Sequence, residues 1–156
     1  LELANTQSSD FCIGVAGYPE KHLEAPNIQS DLRYLKMKQD LGAEYIVTQM
    51  FFDNQAYFDF VNKCRNNGIN IPIIPGLKPL ATARQIQSIP KHFSVNIPDE
   101  LVSEVEKATS KAAINEIGIE WGIQQSKELI AAGVPSIHFY TMGKSKAVRK
   151  IAEAVF

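Results

Sequence analysis

EYIVTQMFFD, residues Glu44 to Asp53, is followed by NQAYFDFVNKCRNNG, residues Asn54 to Gly68, and this pairing decides the fold. The first segment is short, apolar and rich in β-branched and aromatic side chains, as in a strand buried on both faces. In the second, Asp53 is placed to cap a helix over about Asn54 to Asn67. Tyr57, Phe58, Phe60 and Val61 form its inward face, and Gly68 is its stop. Gln49 falls at the strand's end, where an amide needs partners for both its oxygen and its nitrogen.

The same strand-then-helix unit recurs on either side. FCIGVAGY (11–18) reads as a strand and DLRYLKMKQDLGA (31–43) as a helix closed at Gly42. INIPIIPG (69–76) is a third strand, with Pro72 near its start and Pro75 at its end, positions a strand tolerates. Helices follow in TARQIQSI, in PDELVSEVEKA opened by Pro98, and from about Lys111 to Ala132. VPSIHFYT (134–141) is the fourth strand and SKAVRKIAEAVF the last helix. Four consecutive βα units with short apolar strands describe a parallel α/β sheet covered by helices. The turn GYPEKH lacks the glycine pattern of a doubly wound nucleotide fold. A (β/α)8 barrel takes about 250 residues and eight units. The expectation is therefore half of a TIM barrel, its C-terminal half, over residues 11–156 after a polar lead-in at 1–10.

Composition narrows the partners. The 156 residues are 45% hydrophobic, enough to bury a core, and 16 basic against 17 acidic residues give a net charge of −1. That balance carries no electrostatic footprint for nucleic acid or an anionic membrane, and a small ligand is expected. No apolar run is long enough to span a bilayer, and Cys12 and Cys64 match no metal or redox spacing. A soluble, cytoplasmic protein with reduced thiols is expected. The three histidines, His22, His92 and His138, show no metal-like pairing, so neither a metal site nor a catalytic nucleophile is assigned.

In a barrel the chemistry lies at the C-terminal strand ends. Those places hold GYPEKH, TQMFFD, PGLKPL and HFYT. Each polar residue there has an ordinary reading beside a functional one. Gln49 satisfies local backbone or binds a ligand, His22 sits on a surface loop or binds, and Asp31 complements a helix dipole or binds. Tyr18 covers a rim, Lys38 is solvated, and Phe51 and Phe52 are core or the wall of a pocket.

These segments resemble the methylenetetrahydrofolate reductase family. GYPEKHLEA is similar to its AxYPExHPEA, DLRYLKMKQDLGA to its DLxxLKxKxDxGA, TQMFFD to TQxFFD, IPIIPGLKPL to IIPGIxPI, and HFYT to its final-strand HFYT. The order and spacings agree from Phe11 to Phe156. The resemblance implies a flavoprotein barrel that uses NADH or NADPH to reduce FAD and then reduces methylenetetrahydrofolate to methyltetrahydrofolate. Carried over by motif, Tyr18, His22, Asp31 and Lys38 belong to the FAD-binding face, with Tyr34 and Met37 on the same helix. Gln49, Gln85, Ile89 and Lys144 belong to the folate site, Lys144 in MGK standing near the arginine that relatives carry after HFYT. The family's general-acid glutamate lies on the first strands of its barrel and matches nothing here, so Glu20 and Asp53 are not assigned that role. The expected partners are the folate substrate and an N-terminal half-barrel. The isolated chain is expected to be inactive and to self-associate through its open sheet. A non-catalytic folate- or flavin-binding module is the alternative.

Overall fold

The computed structural model describes residues 11–156; the polar lead-in lies outside them. Four parallel strands in the order β1-β2-β3-β4 form the sheet: β1 (Gly14–Gly17), β2 (Tyr45–Met50), β3 (Ile73–Leu77) and β4 (His138–Phe139). Six helices connect and follow them: α1 (Ile28–Asp40), α2 (Asn54–Asn66), α3 (Arg84–Phe93), α4 (Asp99–Lys107), α5 (Lys111–Ala131) and α6 (Lys146–Val155). This α/β arrangement is compatible with a half-barrel. No described helix is long and apolar enough to cross a membrane.

Local chemistry explains the element ends. Asp53 accepts the Gln55 N–H as the α2 cap, and Asn27 and Ser110 cap α1 and α5 in the same way. After α1 and α2 the chain turns through Gly42 at φ +99° and Gly68 at φ +72°, the left-handed region that glycine enters without a Cβ clash.

Parallel register gives the sheet two unlike faces. Val15 pairs with Ile46, which pairs with Ile73, and these turn toward the helices. There Leu32, Leu35, Phe51, Tyr57, Phe60, Cys64, Ile69 and Leu129 close the first core. On the other face Ala16 is exposed, while Tyr45, Val47 and Ile74 are half-buried, so apolar side chains meet solvent there. A second core joins Met50, Phe52, Leu80, Ile89, Val95 and Leu101 beneath the loop that follows β3. Phe51 and Phe52 thus resolve as core, each in a different cluster. Of the four residues expected to face inward on α2, Tyr57 and Phe60 are buried while Phe58 and Val61 are half-buried.

Two strands depart from expectation around Pro75, which lies inside β3 rather than at its end. In a parallel ladder alternate residues address opposite neighbours. Gly76 donates toward β2 and Leu77 accepts from Tyr140 on the β4 side, so Pro75 also faces β4 and offers it no N–H. β4 accordingly pairs only at Gly76–His138 and Leu77–Phe139, two residues rather than the whole of VPSIHFYT. On the other side the register slips between Val47 and Met50, three steps on β2 against two on β3. The Thr48 hydroxyl, fully buried, accepts the Gly76 N–H at 2.9 Å in place of a backbone carbonyl.

Helix α5 crosses the loop after β3 so closely that a Cβ on Gly118 would lie 2.0 Å from the Leu80 carbonyl oxygen. Gly118→Ala is expected to destabilise the protein by about 2–3 kcal/mol, because backbone must shift to admit the methyl. Gly133→Ala, at φ +78° with nothing within 4 Å, should cost only about 1 kcal/mol. Urea unfolding of the two variants checks the order; equal losses would contradict the close approach of α5.

Candidate ligand site at the strand C-termini

The loop after β1 is tied to the start of α1. Lys21 holds φ +90°, unusual for a residue with a side chain, and its ammonium donates to the Ala25 carbonyl at 2.7 Å. The His22 N–H donates to Asp31 Oδ2 at 2.6 Å, so Asp31 straps this loop down as well as facing the helix dipole. His22 Nδ1 accepts the Glu24 N–H, which leaves Nε2 as the protonated nitrogen of the neutral ring. The His22 ring meets Tyr18 edge to face at 4.5 Å. Three of the four residues expected on the FAD-binding face therefore share one cluster.

Lys38, the fourth, lies seven residues beyond Asp31, about 10 Å along the same side of α1. Between them Tyr34 and Met37 are 52% and 50% exposed, an apolar patch with an acid at one end and a lysine at the other. Arg33 lies over the Tyr34 ring at 5.4 Å. Lys38 has no ion-pair partner among the described residues.

The residues expected at the folate site divide between two places. Gln85 and Lys144 line one open cleft of about 560 Å³, with Lys78, Tyr140 and Thr141. Among the described residues no carboxylate lines it. Burial, reinforced by the nearby Lys144 charge, lowers the Lys78 ammonium below its ordinary range. Gln49 instead lines a narrow niche with Tyr18, Glu20, Met50, Phe93 and Val95. Ile89 lines neither, being 4% exposed in the second core.

Both glutamines use their oxygen on nearby backbone. Gln49 Oε1 accepts the Met50 N–H at 3.0 Å, and Gln85 Oε1 accepts those of Ala81 and Thr82 at 2.7 and 3.2 Å. The polar partner that Gln49 requires is, for its oxygen, its own backbone. What remains for a ligand is each NH2 group, a donor, and the second lone pair of the Gln49 oxygen. Sequence reasoning did not single out Lys78, Thr48 or Tyr140; the available signal was their position at the ends of β2, β3 and β4.

The geometry defines a parallel α/β protein whose candidate site residues lie at and beyond the C-terminal ends of its strands. The chain belongs to the methylenetetrahydrofolate reductase family: the family model described as "Methylenetetrahydrofolate reductase" matches residues 1–155. Among relatives, "Probable methylenetetrahydrofolate reductase (NADPH)" of Caenorhabditis elegans is 38% identical over 93% of this chain and 22% of its own length. "Methylenetetrahydrofolate reductase (NADH) 1" of Arabidopsis thaliana is 39% identical over 88% of this chain and 25% of its own length. The chain thus spans about a quarter of these relatives. A solved structure described as an uncharacterized protein from Clostridium thermocellum that binds two copies of 5-methyl-5,6,7,8-tetrahydrofolic acid shares the fold. Its TM-score is 0.63 at 23% identity, over 94% of this chain and 53% of that one.

Glu20 offers a pH test of this edge. It is half-buried, and burial raises its carboxyl above the usual range; the Asn96 N–H on Oε1 opposes the shift and the Asp53 charge adds to it. A carboxyl raised on folding contributes stability below its unfolded value of 4.5, and that contribution is lost as pH rises through the folded value. Glu20→Gln keeps an oxygen for Asn96 but never ionises. Its melting temperature should exceed that of wild type at pH 7 and the gap should close toward pH 4; a gap independent of pH would contradict the assignment.

Proposed function

We propose that this chain supplies the flavin- and folate-facing C-terminal half of a (β/α)8 barrel in a methylenetetrahydrofolate reductase. The carrying observation is the acid-free cleft at the strand ends, where Gln85 and Lys144 meet Lys78. Folate has a flat polar ring at one end and carboxylates at the other, and this edge offers amide donors at Gln49 and Gln85 and ammonium groups at Lys78 and Lys144. Ile89, one turn beyond Gln85 on the same helix, anchors that helix in the second core. The ligand named for the Clostridium thermocellum protein, a methylated tetrahydrofolate, supports this reading, and its coverage of about half that chain supports the half-barrel.

The residues of α1 fit FAD. The exposed Tyr34 and Met37 offer a surface for a flat ring, Lys38 an unpaired cation for a phosphate, and Asp31 an acceptor for hydroxyl or amine groups. Tyr18 and His22 form the adjoining wall. FAD would supply the carriage of a hydride from NADH or NADPH to the folate, the co-substrates named in the relatives. This chain's own part is to bind and orient; no residue of it is assigned as the proton donor. The half-buried Tyr45, Val47 and Ile74 would face the lumen of the intact barrel, closed by an N-terminal half-barrel. Alone, the chain is expected to be inactive and to self-associate through that face.

Titration of the chain with FAD, followed by flavin fluorescence, and with 5-methyltetrahydrofolate, followed by thermal shift, tests the proposal. Saturable binding is expected, with Lys38→Ala weakening FAD and Gln49→Ala weakening folate by about 3- to 10-fold each. Absence of saturable binding to either ligand overturns it.

A further inference from the structure

Tyr140 lines the cleft that holds Gln85 and Lys144, yet its hydroxyl points out of that group of residues. It donates to the Thr48 carbonyl oxygen at 2.9 Å, across 92 residues of sequence. That carbonyl belongs to the peptide joining Thr48 to Gln49. A peptide unit is planar, so holding its oxygen sets the direction of the Gln49 N–H and of the bond to the Gln49 Cα.

The surrounding structure leaves the ring little freedom. Its backbone N–H donates to the Leu77 carbonyl, and His138 meets it edge to face at 4.7 Å. Beneath it lies Gly76, where a Cβ would sit 2.7 Å from the Tyr140 ring and 2.3 Å from the Thr48 oxygen. Only glycine lets ring and carbonyl approach this closely. The ladder acceptor that Gly76 would ordinarily use is this same Thr48 oxygen, but the Gly76 N–H goes to the Thr48 hydroxyl, which leaves the carbonyl to Tyr140. A phenol is protonated at neutral pH, and burial, with a smaller contribution from Tyr18, raises that of Tyr140 further above its ordinary range.

We propose that Tyr140 is a positioning residue for Gln49: its hydroxyl, by holding the Thr48 carbonyl, orients the Gln49 carboxamide and couples the β2 niche to the β3–β4 cleft. The assignment of Gln49 to folate rests on the proposed function above; the coupling of Tyr140 to Gln49 does not.

Tyr140→Phe removes the hydroxyl alone, and Tyr57→Phe is the matched control. Tyr57 also donates to a strand carbonyl, that of Ile73 at 2.8 Å, but from the buried helix side of the sheet. In the ligand-free chain, the side-chain NH2 resonances of Gln49 are expected to move in Tyr140→Phe and to stay in place in Tyr57→Phe, although both variants melt earlier. With 5-methyltetrahydrofolate, Tyr140→Phe should weaken binding about fivefold, and add nothing in a Gln49→Ala background. Unmoved Gln49 resonances, equal movement in both variants, or the same loss of affinity with and without Gln49 would overturn the proposal. If the wild-type chain does not bind folate while Tyr140→Phe still moves the Gln49 signals, the functional reading fails and the positioning role stands.

Discussion

The buried hydroxyl of Thr48 is the contact on which the working edge of the sheet depends. Parallel strands hold one another through regular backbone bonds, and at this edge the regular pattern fails twice. Pro75 has no donor for β4, and β2 carries an extra step against β3. An unmet backbone N–H inside the sheet would cost about 1–3 kcal/mol. Thr48 averts that for Gly76, and in doing so frees its own carbonyl for Tyr140, the residue just after β4. Thr48 and Tyr140 therefore add side-chain bonds to the sheet where the β2–β3 register slips.

A second clamp holds the same edge from the helix side. On α5, Trp121, Gln125 and Glu128 recur at the spacing of one helical face. Trp121 Nε1 donates to the Phe52 carbonyl at 2.9 Å. Gln125 and Asn54 exchange amide contacts, and the Asn54 NH2 also reaches Glu128 at 2.8 Å. These bonds fasten the turn in which Phe51 and Phe52 part to their separate cores. Asn54 and Gln125 are buried, so each bond counts for more than it would at the surface. Gln49 thus lies between a turn fixed by α5 and a peptide fixed by Tyr140 just beyond β4.

What was legible in the sequence follows from which signals are local. Helix caps and stops are local, and Asp53, Gly68 and Gly133 end their elements where residue chemistry places them. The parallel order of strands follows from the alternation of apolar runs with helices. The short β4 was not legible, because its length depends on where Pro75 points in a neighbouring strand. Tyr140 was invisible for the same reason: its bond to Thr48 joins residues 92 apart, and no spacing rule reaches across that gap. The strand-end motifs located the candidate residues, yet they could not show that the oxygens of Gln49 and Gln85 are already taken by backbone.

The distribution of charge argues from the same geometry. Three ion pairs are formed among the described residues, Lys36 with Asp40, Arg149 with Glu153 and Lys150 with Glu116, all on exposed helix surfaces. Exposed pairs of this kind contribute about 0–1 kcal/mol and could be rearranged with little loss. Lys38, Lys78 and Lys144 are left out of them. At Lys78 the cost of that arrangement is visible, since burial and the Lys144 charge both disfavour its ammonium form. A carboxylate lining the cleft would relieve it, but would also occupy the ammonium groups and repel an incoming anion. On the reading proposed above, the Lys78 and Lys144 ammonium groups stay open to an anionic ligand because no acid of the described residues lines the cleft with them.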